Sequence, residues 1–328
     1  MLERGVRAYP GERVKGMQFA VEGLHKSFGE KQVLRDVSFS TESGKAFGLL
    51  GRNGAGKTTT IRIIMDVFPA DSGKVLLNGQ PMVREKTNIG YLPEERGLYP
   101  KVNILEQLIY LGRLRGMTAH DAKANSMKWL KRLGMEEHAN KKLDTLSKGN
   151  QQKIQLTAAL VSDPDFVILD EPFSGLDPVN AMLLKDVVRE LIDSGKIVLF
   201  SSHQMNYVEE FCDSIAILHH GEIVLSGSIR ELRRAKGRSR WLIQTTETEK
   251  ALRFCRESLS DVVKNVHAVK EGAAVELLHE RGEAALLAAV GASGLTVDGV
   301  QLMTPTLNDI FVEATTSDDD QAEGSENK

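Results

Sequence analysis

Gly51-Arg52-Asn53-Gly54-Ala55-Gly56-Lys57-Thr58 satisfies the phosphate-loop pattern GxxxxGK[ST]. Before it runs the short apolar segment KAFGLL, residues 45–50, which reads as a strand. After it Ile61, Ile64, Met65 and Phe68 recur at helical spacing until Pro69 stops them. Strand, glycine loop and helix thus follow in the order the motif needs. Glycines let backbone N–H groups turn inward around phosphate oxygens, and the helix N-terminus adds a partial positive charge. Lys57 is placed to reach the terminal phosphates and the Thr58 hydroxyl to ligate magnesium. A nucleoside triphosphate is the first ligand to expect.

The chain has 328 residues, 41% of them hydrophobic, enough for roughly two domains of usual size. A net charge of −3 and a pI near 6.3 lack the basic excess of a general nucleic-acid binder, so DNA and RNA are not expected as partners. Cys212 and Cys255 stand far apart without metal-ligand spacing, which suits buried thiols in a reducing compartment. Residues 1–16 show no apolar core of signal-peptide length, so a cytoplasmic location is expected. They also show no periodicity before the strand-like segment at Met17, where translation is expected to start. The longest uncharged run, 284–297, is shorter than the ~20 residues a membrane-spanning helix needs. Any membrane role must come through a partner.

From Met17 to about residue 228 short strand-like runs alternate with helical patterns, as in an α/β domain. Residues 18–25 and 33–40 flank a Gly29-Glu30-Lys31 turn and read as an antiparallel edge. Between 102 and 146 the texture changes to helical spacing with Lys and Arg outside, a helical insertion reaching to about 150. Strands return at 166–169, 197–200, 214–218 and 222–225. Beyond residue 230 four strand candidates (241–245, 263–269, 273–278, 295–303) and two helical patterns (247–259, 282–292) give the order βαββαβ. That order suggests a ferredoxin-like α+β module closed by a helix at 306–314. The expected division is an N-terminal extension 1–16, an α/β domain 17–230, an accessory domain 238–316 and a disordered acidic tail 317–328.

A phosphate loop alone leaves kinases, GTPases and motor ATPases open, and a second site has to decide. Phe166-Val-Ile-Leu-Asp170-Glu171 places two carboxylates at the end of a buried strand, where open α/β sheets bind ligands. Asp170 is suited to hold magnesium or its water, and Glu171 to orient and deprotonate an attacking water. The apolar run 197–200 ends in Ser201-Ser202-His203, which delivers His203 to the same sheet edge as a sensor of the terminal phosphate. A solvated acidic turn and a structural histidine are the plain alternatives. Convergence of three strand ends weighs against both. Ser147 is placed as the N-cap of a helical run that starts another anion-binding end.

At this point the chain resembles the ATP-binding subunits of ABC transporters. Ser147, Lys148, Gly149 and Asn150 stand where that family has its LSGGQ signature, and Phe173-Ser-Gly-Leu-Asp177-Pro matches its D-loop. The resemblance implies a P-loop NTPase core with an antiparallel β subdomain and helical insertion. It also implies ATP and magnesium as ligands, held by Gly51 to Thr58, Thr59 and the stacking aromatic Phe28. Two such subunits, identical or paralogous, would close head to tail, with Ser147, Lys148, Gly149 and Asn150 of each reaching the other's ATP. The helical insertion would dock on a separate membrane permease, which holds the chain at the inner face of the cell membrane. The segment after residue 230 looks like that of sodium-efflux and antibiotic-export members, which favours export.

Two positions depart from the family pattern. Glu94, in Ile89-Gly-Tyr-Leu-Pro-Glu94, stands where glutamine is usual. It remains able to ligate the metal but brings another negative charge. Lys148 replaces the first signature glycine. A soluble ABC ATPase of translation or DNA repair is the competing reading, opposed by the single cassette and the lack of sustained heptads. A kinase or GTPase lacks support because no NKxD motif follows the loop.

Overall fold

In the computed structural model, which describes residues 16–95, 97–237 and 239–323, strand β1 (Gln18–Phe28) folds back on β2 (Lys31–Glu42). Gly29, at φ +61°, makes the reversal possible, and Phe28 pairs with Lys31 across it. Alternation turns Phe19, Val21, Leu24, Leu34, Val37 and Phe39 into the core. The expectation had two strands in this layer; the structure adds β4 (Ser72–Leu77) and β5 (Gln80–Pro81), in the order β2-β1-β4-β5. After β3 (Ala46–Leu50) and α1 (Lys57–Ile64) come β4 and β5, joined at Asn78-Gly79. Both turn residues have positive φ, the conformation an Asn-Gly hairpin turn supplies.

The chain then forms β6 (Ile89–Leu92) and three helices: α2 (Ile104–Leu114), α3 (Ala119–Arg132) and α4 (Lys148–Leu160). Asn103, Thr118 and Ser147 cap them, each side-chain oxygen accepting backbone N–H groups of the first turn. Helix α4 packs on α2, α3 and β6. Next come β7 (Phe166–Asp170), α5 (Pro178–Asp193), β8 (Ile197–Ser202), α6 (Met205–Phe211), β9 (Ser214–His219) and β10 (Glu222–Ser228). A six-stranded sheet results, ordered β10-β9-β3-β8-β7-β6. Strands β3, β7 and β8 are buried at every position, as in a parallel sheet covered on both faces. Leu50 pairs with Ser202 and Asp170 with Ser201, so three parallel strands end at one level.

The chain divides into two compact units, the second starting at Gly227. The accessory domain was expected from 238, but α7 (Ile229–Gly237) belongs with this unit: it packs on β11 (Arg240–Gln244), and Lys236 pairs with Glu313. Helix α8 (Thr248–Ser258), β12 (Val263–Val269), β13 (Gly272–Leu277), α9 (Glu283–Ala292) and β14 (Gly299–Leu302) follow. The antiparallel sheet runs β12-β13-β11-β14, the arrangement of a ferredoxin-like module, around a core that includes Ile243, Leu252, Val275 and Leu286. Strand β14 is shorter than the expected 295–303. Thr296 bonds instead to the side chains of Glu247 and Thr245, which holds it out of the ladder.

Helix α10 (Leu307–Glu323) overturns part of the expected disordered tail. Once nucleated, a helix gains one hydrogen bond per added residue, and neither glycine nor proline interrupts it before Gly324. Residues 324–328 lie outside the described residues, as do 1–15 of the N-terminal extension. Cys212 and Cys255 are buried and free. Burial pushes both thiols up, Cys255 to about 11, so neither is poised as a nucleophile. Among the described residues no helix is long and apolar enough to cross a membrane.

Candidate functional site

The buried strand β3 delivers the chain into Gly51, whose added Cβ would come 2.5 Å from the carbonyl oxygen of Leu218. At the far end of the loop Gly56 has φ +113°, and a Cβ there would come 2.6 Å from Leu34. Backbone geometry and space both demand glycine at this helix start. Arg52, Asn53 and Gly54 are exposed, Ala55 is buried, and Thr58 and Thr59 are half-buried on the first turn of α1. Lys57 is only 7% exposed. Its ammonium donates to the carbonyl oxygens of Gly51 at 2.7 Å and Arg52 at 3.4 Å, and stands 3.9 Å from Glu171 Oε1. The loop therefore curls around its own lysine.

Strand β7 carries the two carboxylates. Asp170 is 1% exposed; Ser201 Oγ donates to its Oδ1 and Tyr91 Oη, at 3.4 Å, to its Oδ2. Burial raises its pKa above the usual carboxylate range against the pull of the Ser201 hydrogen bond, and the Glu171 charge raises it further. The Tyr91 phenol is likewise pushed up, by burial first and then by Asp170, with Glu94 contributing. Glu171 is 4% exposed and sits at φ +49°, a left-handed conformation that costs a non-glycine residue about 1–3 kcal/mol. Its N–H donates to Ser201 O at 3.0 Å and its carbonyl accepts from Ser174 N at 3.1 Å. These bonds hold the turn.

His203, its side chain 54% exposed, follows β8 and brings Nδ1 to 2.9 Å from Glu171 Oε1. Among the described residues no hydrogen bond reaches this buried oxygen. Lys57, Asp170, Glu171 and His203 thus meet at the aligned ends of β3, β7 and β8. Phe28 stands half exposed, edge-on to Phe68 at 5.3 Å between centroids, with the Lys26 ammonium 5.5 Å from its ring. Glu94 is exposed just after β6.

The residues at the start of α4 make no hydrogen bond to the phosphate loop among the described residues. Ser147 caps the helix, Lys148 is exposed, and Asn150 N donates to Ser147 Oγ at 3.4 Å. An added Cβ on Gly149 would come 2.8 Å from Asn180 Nδ2. Asn180 in turn bonds Asp177, whose Oδ1 accepts from the N–H groups of Val179 and Asn180 at 3.0 Å and caps α5. Those donors, the Asn180 N–H foremost, hold the Asp177 carboxyl below its ordinary range. The α4 start and the D-loop are neighbours within one chain.

Several residues in this constellation carried no role in the sequence reading. Ser201, Ser202 and Tyr91 touch the carboxylates. Gln152 Nε2 donates to Pro172 O at 3.1 Å and Gln155 Nε2 to Glu95 O at 3.2 Å, tying α4 to the segments after β7 and β6. Two serines ending an otherwise apolar buried strand were the available signal, since buried hydroxyls need partners.

Known proteins resemble both parts of the chain. Residues 34–174 match the ABC transporter family, and residues 227–315 match the C-terminal domain of DrrA1-3-like ATP-binding proteins. The chain is 39% identical over 294 residues to an uncharacterized ABC transporter ATP-binding protein, YhaQ, of Bacillus subtilis (strain 168), covering 89% of this chain and 97% of the relative. It is 36% identical over 209 residues to a Nod factor export ATP-binding protein I of Paraburkholderia xenovorans (strain LB400), covering 62% of this chain and 69% of the relative. A solved structure of an ATP binding subunit of an ABC transporter superposes with a TM-score of 0.62 at 30% identity, over 67% of this chain and 93% of that one.

Proposed function

The chain belongs to the ATP-binding proteins of ABC transporters, and from that premise we propose that it closes with a second ATP-binding subunit over ATP and drives an exporting permease. Members of the family hydrolyse ATP to power transport. The observation that carries the assignment of residues is the alignment of three strand ends, which brings Lys57, Asp170, Glu171 and His203 together. Backbone N–H groups of the loop 51–57 and the Lys57 ammonium bind the phosphates. Thr59 extends that set, and Phe28 offers a π-face to the base. Glu171 takes the proton of the water that attacks the γ-phosphorus as the bond to the bridging oxygen breaks. His203 steadies that water or the terminal phosphate.

Among the described residues no three His, Cys, Asp or Glu cluster as a protein-only metal cage. The Thr58 hydroxyl, the buried Asp170 carboxylate and Glu94 are oxygen donors of the kind that would hold magnesium, which keeps several waters and shares substrate phosphates. When bound, the ion supplies positive charge to the phosphate oxygens.

Ser147, Lys148, Gly149 and Asn150 serve the ATP of the partner subunit. Their want of any hydrogen bond to this chain's own loop, among the described residues, agrees with that assignment, and Asp177 links them to the D-loop. The relative named for Nod factor export supports export as the direction. The permease holds the chain at the membrane. Measuring the mass of Glu171→Gln in solution, with and without ATP and magnesium, tests the closure. A dimer only with ATP supports it, and a monomer under both conditions refutes it.

A further inference from the structure

Glu171 has two carboxylate oxygens in different surroundings. Oε2 faces the hydroxyl of Ser202 at 3.4 Å. Oε1 is buried without a hydrogen-bond donor among the described residues, 2.9 Å from His203 Nδ1 and 3.9 Å from Lys57 Nζ. Ser202 itself is 2% exposed at the last position of β8, paired with Leu50 in the strand that leads into the phosphate loop. Its Oγ accepts the N–H of Gln204 at 3.0 Å. That bond uses a lone pair of the hydroxyl and leaves its proton for Glu171. The distance of 3.4 Å is long for such a bond, as is common for catalytic contacts before the reacting geometry forms.

We propose that Ser202 is a positioning residue, which ties Oε2 of Glu171 and so reserves Oε1, on the side of Lys57 and His203, for the attacking water. The left-handed backbone of Glu171 makes such a tie necessary. Its N–H and C=O are anchored, but neither anchor sets the side-chain torsions that decide which oxygen faces the phosphate loop. The neighbouring Ser201 is matched to Asp170 by strand register, so each serine at the end of β8 serves one carboxylate. Ser202 does not touch substrate in this account; it acts through Glu171.

The inference rests on Glu171 being the base, and the experiment separates the two. In the full-length chain, Ser202→Ala should lower the kcat of ATP hydrolysis about tenfold, the scale of one hydrogen bond to a charged group. ATP affinity, measured on the same preparation, should stay within about twofold of the parent, because the loop that binds phosphate is untouched. Ser202→Thr, which keeps the hydroxyl, should recover most of the rate. A parental rate in Ser202→Ala, a loss expressed equally in ATP affinity, or a Thr variant as slow as the Ala variant overturns the positioning role. Normal hydrolysis in Glu171→Gln removes instead the reading of Glu171 as base, whatever Ser202 does.

Discussion

Nδ1 of His203 stands 2.9 Å from Oε1 of Glu171, one side chain more than half exposed and the other almost wholly buried. Imidazole here spans the boundary between solvent and a buried acceptor that no donor satisfies among the described residues. A group so placed can meet a phosphate oxygen or a water beside the carboxylate. His203→Ala should therefore lower kcat by roughly 10²-fold with little change in ATP affinity, the usual cost of losing one preorganised donor. Steady-state hydrolysis together with a binding titration checks this. Unchanged turnover would make His203 structural.

Phe28 presents half of its surface to solvent and is propped edge-on by Phe68. If a base stacks on it, Phe28→Ala should weaken ATP by about 1–3 kcal/mol, the range for one base–aromatic contact. GTP should weaken in parallel, because a π-face does not read base edges. Equilibrium binding of both nucleotides to parent and variant is the check. An unaltered ATP affinity would return Phe28 to a packing role.

Asp170 predicts a trade of stability for function. Burial raises its pKa, so the native state keeps a proton at a pH where the unfolded chain has released it. Its contribution to stability is full below the unfolded value of about 3.9 and declines as pH rises through the higher native one. Asp170→Asn removes that decline. Without nucleotide the variant should melt above the parent at pH 7, and the gap should close as the pH falls toward about 4. The same variant should lose the gain in nucleotide affinity that magnesium confers. Thermal unfolding across pH, beside binding with and without magnesium, reads both halves.

Glu94 lies exposed beyond β6. An extra carboxylate beside triphosphate makes bound cation more necessary, by plain charge repulsion. Glu94→Gln should lose less ATP affinity when magnesium is withheld and, having given up a negative charge that attracts the ion, should reach half-maximal ATPase rate at a higher magnesium concentration than the parent. Superimposable magnesium titrations would contradict that role.

What the sequence disclosed and what it hid have physical causes. The phosphate loop, Asp170 and His203 were legible because each ends an apolar run, and an apolar run in an α/β chain is a buried strand whose end faces the ligand edge. The βαββαβ order of the second unit was legible from alternation around Ile243, Val266 and Val275. Strands β4 and β5 leave little pattern, although Asn78-Gly79 marks their turn, because Ser72–Leu77 begins polar and exposed and becomes only half-buried. The pairing of Ser202 with Glu171 was hidden because it depends on parallel register and on a left-handed φ, neither of which leaves a residue pattern. The extension of α10 through the acidic segment was missed because composition alone argued for disorder, while helix propagation is decided by the absence of breakers.

Glu171 as the proton acceptor is the claim on which the rest of the chemistry depends. Its most direct test is the turnover of Glu171→Gln beside its ATP affinity. Hydrolysis should fall by about 10²-fold or more, the scale of a lost general base, while ATP binding is retained. Near-normal hydrolysis in that variant would contradict the account.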